Sequence, residues 1–347
     1  MIQKISVMIV DDSSMYRELL RSALSDDSRV QVIAQAVNGK LAIPRVKHYK
    51  PDFIILDQEM PEMTGLETLR EIRRLAPESR VIMFCSVSKE GADIALKALQ
   101  EGAVDFVTKP GPDNDKSFGQ YVRETIIERI VQLGQDAKRV STPEPVKRKP
   151  SAIASSFRLC GIGISTGGPV ALRQLFGALS PRIKGSILIV QHMPPVFTKQ
   201  FAESLDRIGT LRVKEAEDGD LVAPATAYIA PGGKQTRVVQ AGPTFKLQVS
   251  DDPPLYNCRP SVNVLFSSMA ALPAVRDTMA VIMTGMGNDG YEGMRSLRKN
   301  GAMLLAQSEK SCLIFGMPSQ PVEEGLVDDV GDIDHISRQI NLMMGAG

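Results

Sequence analysis

The first 110 residues carry five short β-rich apolar runs: ISVMIV (5–10), VQVIAQA (30–36), DFIILD (52–57), RVIMFC (80–85) and AVDFV (103–107). Segments of helical period follow them at 14–25, 38–49, 65–75, 91–101 and 117–133. This alternation constrains the fold more than any other feature. Near-continuous apolar strands are buried on both faces, and strands separated by helices align in parallel, so the pattern predicts a doubly wound α/β sheet. Pro44, inside the second helical segment, weakens the expectation of a helix there.

The stretch 134–156, GQDAKRVSTPEPVKRKPSAIASS, is rich in Pro, Ser and Lys/Arg and shows no apolar period. It reads as a linker, since structureless loops of that length are uncommon inside compact domains. The chain therefore divides into a domain at 1–133, a linker at 134–156 and a second domain at 157–347. The second domain is also α/β, with strands expected at 158–164, 186–191, 279–284 and 302–306. Between them, 211–249 alternates like a β-hairpin region, with turn signals at APGGK and AGPT, and predicts an antiparallel insertion.

With 41 Lys+Arg against 40 Asp+Glu, the net charge of +1 argues against a surface that tracks nucleic acid or acidic lipid. Three histidines and four dispersed cysteines exclude HExxH and CxxC metal sites. The N-terminal apolar run stops at Asp11 and is too short for a signal peptide, and no stretch approaches the roughly 18 apolar residues of a membrane span. These features predict a soluble cytoplasmic protein.

Chemistry gathers where the runs end. Asp11 and Asp12 follow the first, Asp57 ends the third, Ser86 follows the fourth and Lys109 the fifth, which places all five on one edge of a parallel sheet. Three carboxylates held together repel one another and favour a hard divalent cation, Mg²⁺. A carboxylate beside that ion and a lysine is placed to attack a phosphoryl group. A single strand-end Asp is more often a helix cap, and Asp12 before the 13–24 segment fits that reading as well. Five suitable residues at five strand ends do not. The segments VDDSSMYR, LDQEMPEMTGLE, the serine after VIMFC, and GAVDFVTKP resemble response-regulator receiver domains over essentially all of 1–125. The resemblance implies a flavodoxin-like (βα)5 fold, Asp57 as phosphoacceptor, Asp11, Asp12 and Asp57 around Mg²⁺, and Lys109 before a cis Pro110. It also implies Ser86 and Phe106 as the switch pair that reports phosphorylation. Gln58 and Glu62 stand where many relatives carry other polar residues.

In the second domain, CGIGISTGGPVAL (160–172) sets Ser165 between a strand and a helix as G-x-S-x-G, with the Thr166 amide and the helix N-terminus facing any developing negative charge. A dinucleotide fingerprint fails here, because position 166 is not glycine and no acidic residue occurs from 161 to 202. A serine nucleophile needs a base. His192 follows the apolar run SILIVQ, whereas His48 lies in the first domain and His335 in a polar C-terminal helix, where solvation is expected. Asp289, among the glycines of TGMGNDGYEG, is the candidate orienting acid. Asp251 and Asp252 read as an exposed turn and Glu309 as a polar loop. The order Ser…His…Asp is not that of α/β-hydrolases, and triads are recognised by role.

The segments GISTGGPVAL, VQHMPPVFTKQFAESLD, RPSVNVLF, TGMGNDGYEGM and FGMPSQPVEEG resemble the catalytic domain of the CheB family of chemotaxis protein-glutamate methylesterases. With the receiver, the resemblance covers the full chain. It implies Ser165 as nucleophile, His192 as base then acid, Asp289 as orienting carboxylate and the Thr166 and Met286 amides as oxyanion hole, without a cofactor for ester hydrolysis. It further implies methylated chemoreceptors as substrates, glutamine deamidation by the same geometry, a sensor histidine kinase as phosphodonor, and a receiver that covers the cleft until phosphorylated. Asn263 stands where relatives commonly have Asp, and Ile164 where they have Ala. A receiver driving a DNA-binding module is the alternative. Near-zero charge, no helix-turn-helix pattern and the Ser/His/Asp set oppose it, with only Lys147-Arg148-Lys149 in its favour.

Overall fold

The computed structural model describes residues 4–111, 116–136 and 157–345. The chain packs as two compact units, Met1–Arg139 and Val140–Gly347. Most of 134–156 lies outside the described residues; 134–136 close the helix Glu128–Asp136.

The first unit is a five-stranded parallel sheet of β1 (Ile5–Val10), β2 (Val30–Ala36), β3 (Phe53–Asp57), β4 (Arg80–Cys85) and β5 (Asp105–Thr108). The order is β2-β1-β3-β4-β5, and every residue of β3 is buried, as continuous apolar strands require. The helix expected at 38–49 forms as Gly39–Tyr49, and Pro44 does not break it. Pro44 and Lys40 are both exposed, so the Lys40 carbonyl that loses its partner faces solvent rather than core. The segment expected at 117–133 is interrupted by a π turn, Arg123–Ile127.

The second unit holds a seven-stranded parallel sheet and a hairpin. Its strands are β6 (Leu159–Ile164), β7 (Ser186–Gln191), β8 (Arg212–Glu215), β9 (Thr226–Ile229), β10 (Gln235–Ala241), β11 (Thr244–Ser250), β12 (Thr278–Ile282), β13 (Met303–Gln307) and β14 (Asp329–Gly331). The sheet order is β14-β13-β12-β6-β7-β9-β8. Among the named strands of the described residues, β10 and β11 are the pair that runs antiparallel. The insertion expected over 211–249 is thus narrower, because β8 and β9 extend the parallel sheet beside β7. Val238, Phe245 and Leu247 of the hairpin share a buried cluster with Leu265, Phe266 and Met269 of the helix Val262–Ala270. Successive strands add on one side of β6 as far as β8 and on the other from β12 onward, so β6 and β12 flank the point where strand order reverses. Ligands collect at the carboxyl ends of strands around such a point. No helix among the described residues is long and apolar enough to cross a membrane.

Candidate functional sites

The carboxyl ends of β1, β3, β4 and β5 assemble the first site. Asp11 and Asp57 are 1% and 2% exposed. The Lys109 amide donates to the Cys85 carbonyl at 2.7 Å, and its Nζ lies 2.8 Å from Asp57 Oδ1 and 3.4 Å from Asp11 Oδ2. The Tyr16 and Phe84 rings stand 4.6 and 5.5 Å from the same ammonium, so carboxylates and π faces hold it together. Burial, with the Asp11 charge adding, pushes the Asp57 carboxyl up to about 6 against the pull of Lys109. Asp12 is exposed and does not cap. Ser13 caps the helix Ser14–Ser25 by accepting from the Tyr16 amide, and Asp11 Oδ1 accepts from the Ser13 amide at 2.8 Å.

Oxygens of Asp11, Asp12 and Asp57 lie within 4.8 Å of one another, and Asp11 Oδ2 is buried without a hydrogen bond. A buried carboxylate oxygen whose charge partner, Lys109, stands 3.4 Å away, in a cluster with two further carboxylates, fits a hard divalent cation. Ser86 Oγ accepts from Gln58 Nε2 at 2.7 Å, and Phe106 is buried on β5. Gly65 is required where it stands, because a Cβ there would lie 2.1 Å from the Asp57 carbonyl oxygen. One implied feature is corrected. Among the described residues the cis peptide is Arg259–Pro260, and Lys109–Pro110 is trans. Trans is the lower-energy isomer for X–Pro bonds, and with its amide held on Cys85 Lys109 reaches both carboxylates in that form.

The second site rises from three adjacent strands. Ser165 follows β6, His192 follows β7 and Asp289 lies seven residues past β12. Ile164 and Gln191 are register partners, so Ser165 and His192 leave neighbouring strands about 4.8 Å apart. The Gln191 side-chain amide donates to the carbonyls of both, at 3.0 and 3.2 Å. The Ser165 amide donates to the Thr284 carbonyl, and a Cβ on Gly285 would lie 2.8 Å from Ser165 Cβ, so glycine lets the β12 loop close on the serine. Met286 follows directly. The Thr166 and Met286 amides make no hydrogen bond among the described residues, as oxyanion donors require. Nor does the Ser165 hydroxyl; serine–base bonds often tighten only when substrate binds.

His192 Nε2 lies 2.8 Å from Asp289 Oδ2, which leaves Nδ1 as the basic nitrogen. Asp289 is 4% exposed. Its Oδ1 accepts from Ser261 Oγ and the Asn263 amide, and its Oδ2 from the Val262 amide, all at 2.7–3.0 Å. Burial alone would raise its pKa, but His192 and this helix N-terminus hold it below the usual carboxylate value. Asn263 serves where an Asp was expected, since its Oδ1 accepts from the Gly293 amide at 2.9 Å. For His192, burial favours the neutral ring, yet the Asp289 hydrogen bond and the neighbouring Cys258 outweigh it and push the imidazole up to about 9. If His192 is the base of a hydrolytic reaction, only its neutral ring acts, so kcat/KM should climb about tenfold per pH unit up to that value and level off above it. A profile from about pH 6 to about pH 10 in chelator-containing buffer checks this, and a flat line would contradict it.

The other candidates fall elsewhere. Asp251 and Asp252 are exposed partners of Lys234 and Arg237. His48 is exposed in the first unit. His335 is not merely solvated: its Nε2 lies 2.6 Å from Asp329 Oδ2, because β14 brings that carboxylate against its helix. Sequence reasoning also missed Cys258, whose only signal is that it stands three residues before Ser261 of the Asp289 cradle.

Residues 160–340 match the family described as CheB methylesterase, and residues 7–116 the response regulator receiver domain. The chain is 40% identical over 348 residues to a protein-glutamate methylesterase/protein-glutamine glutaminase of Pectobacterium atrosepticum, spanning 99% of this chain and 98% of that protein. A relative of the same name from Salmonella typhi is 39% identical over 347 residues, with the same coverage. Among solved structures, the CheB methylesterase catalytic domain of Thermotoga maritima aligns with 35% identity and a TM-score of 0.52, over 55% of this chain and 99% of that one.

Proposed function

The chain belongs to the CheB methylesterase family, and from that premise we propose that Ser165, His192 and Asp289 hydrolyse glutamyl γ-methyl esters of chemoreceptors, in adaptation of a chemotaxis-type pathway. The observation that carries this reading is that a serine, a histidine and a carboxylate follow three adjacent strands, with His192 Nε2 2.8 Å from Asp289 Oδ2. His192 takes the Ser165 proton as the hydroxyl attacks the ester carbonyl. Charge developing on the carbonyl oxygen falls to the Thr166 and Met286 amides, which have no competing acceptor among the described residues. Protonated His192 then gives its proton to the departing methanol, and water, deprotonated in turn, releases glutamate. A receptor glutamine enters by the same path with ammonia leaving. Methanol release from methylated receptor by the purified chain tests the assignment, and none would overturn it.

Regulation resides in the first unit. We read Asp57 as the acceptor of a phosphoryl group from a chemotaxis-type sensor histidine kinase, in the cytoplasm. Asp11, Asp12 and Asp57 would hold Mg²⁺, which when bound offsets charge on the incoming phosphoryl group. Lys109 pairs with the acceptor carboxylate. Ser86 accepts from Gln58, so its hydroxyl hydrogen can turn to a phosphoryl oxygen, and buried Phe106 is its partner in the switch. If the unphosphorylated receiver restrains the esterase, deleting 1–150 raises methanol release above that of the unphosphorylated full chain. A truncated protein slower than the full chain would refute restraint.

A further inference from the structure

Hydrolysis leaves one group at the catalytic centre unused, the thiol of Cys258. It sits in a tight loop between the hairpin and the helix Val262–Ala270. The loop is closed by paired backbone hydrogen bonds between Leu255 and Cys258, at 2.9 and 3.1 Å, with Tyr256 and Asn257 in left-handed conformation at φ 49° and 63°. The Gln235 side-chain amide holds the Cys258 carbonyl at 3.1 Å. The thiol is therefore carried on a fixed backbone, and it is half-buried beside His192 rather than sealed in the core as Cys85 and Cys160 are.

A ring nitrogen of His192, Cys258 Sγ and a carboxylate oxygen of Asp289 lie within 4.8 Å of one another. We propose that these three residues form an inhibitory site for a borderline-soft divalent ion of the Zn²⁺ class. Nitrogen, sulfur and oxygen from His, Cys and Asp are the donors such an ion takes, with a fourth position left to solvent. One edge of the site is nearly set. His192 Nε2 and Asp289 Oδ2 are 2.8 Å apart, and tetrahedral ligation at roughly 2.0 Å needs them roughly 3.3 Å apart, a small opening. The outer contacts that metal carboxylates require are in place, since Ser261 Oγ and the Val262 and Asn263 amides hold both Asp289 oxygens. Binding is simple exchange: the thiol releases its proton to solvent, and the Nε2 proton leaves to solvent from the imidazolium or moves to Nδ1 in the neutral ring, so the ion meets thiolate and neutral imidazole and nothing is oxidised.

The ion replaces the proton that joins His192 to Asp289, so it fixes the ring and uncouples base from acid while bound. Mg²⁺ does not compete, because it demands oxygen ligands and avoids thiolate. The chain would thus carry two cation sites of opposite preference: a hard one among Asp11, Asp12 and Asp57, and a soft one at His192, Cys258 and Asp289.

The test reads metal binding directly, so it stands whether or not the esterase reading does. Chelator-stripped full-length protein is titrated with Co²⁺, which should give a thiolate-to-metal charge-transfer absorption in the near ultraviolet. Zn²⁺ should displace it, and Cys258→Ser should lose it and weaken Zn²⁺ binding by at least about tenfold. Ser165→Ala, which removes no ligand, should keep the absorption. Peptide mapping of iodoacetamide-treated wild-type protein needs no variant, and stoichiometric Zn²⁺ should slow alkylation of Cys258 at least about tenfold. The proposal is overturned by Cys258 alkylating equally with and without Zn²⁺, or by a folded Cys258→Ser protein that binds Zn²⁺ as wild type does.

Discussion

Ser165→Ala is expected to lower methanol release from methylated receptor by a factor on the order of 10⁴ or more, as loss of a serine nucleophile does elsewhere. The substitution removes one oxygen and keeps the Cβ against which Gly285 packs. The hydroxyl makes no hydrogen bond among the described residues, so nothing is left unsatisfied and the fold should hold within about 0.5 kcal/mol. Loss of rate with an unchanged thermal midpoint is thus the expected pair of results. Residual rate should come from the Thr166 and Met286 amides and substrate positioning alone. Wild-type turnover in this variant would remove Ser165 from the mechanism and, with it, the reason for His192 to lie one strand away.

Asp57→Asn is expected to abolish phosphoryl incorporation from a phosphorylated kinase or a small acyl phosphate, and with it any stimulation of the esterase. The amide keeps the shape but cannot form the acyl phosphate. It also takes a charge from a cluster that holds Lys109 at 2.8 Å and 3.4 Å from two carboxylates. The like-charge strain among Asp11, Asp12 and Asp57 is relieved at the same time, so the variant should be no less stable than wild type. Radiolabelled transfer in the presence of Mg²⁺ measures it. Incorporation at the wild-type level would move the acceptor elsewhere, and incorporation that survives chelation would separate the chemistry from the carboxylate cluster.

The residues that could be read from the sequence are those whose position follows from strand ends. Asp11, Asp57, Lys109, Ser165 and His192 each sit where an apolar run stops, and a parallel sheet turns that regularity into proximity. Asp289 was reachable because its loop leaves β12 among glycines. What stayed hidden depends on contacts between distant segments. The cradle that Ser261, Val262 and Asn263 make for Asp289 has no local period, nor does the approach of Cys258 to His192. The sheet-extending role of β8 and β9 is equally invisible, because an alternating pattern does not say which neighbour a strand will take. Asp12 shows a different limit. Its sequence fits a helix cap as well as a metal ligand, and only the observed capping by Ser13 separates the two.

The central place of β6 has a consequence for how the activity could be divided. It pairs with β7 a few dozen residues downstream and with β12 more than a hundred residues away, and Asp289 arrives only through the second pairing. No contiguous stretch shorter than about two thirds of the described unit holds Ser165, His192 and Asp289 together. The turn between β10 and β11 (242–243) lies between the two sets of strands and joins the two strands of the antiparallel hairpin. Nicking the chain there leaves Ser165 with His192 on one piece and Asp289 on the other, each inert alone. Reassembly across the β6–β12 ladder is then the event that creates a hydrolase, which makes this sheet a natural scaffold for split-enzyme complementation.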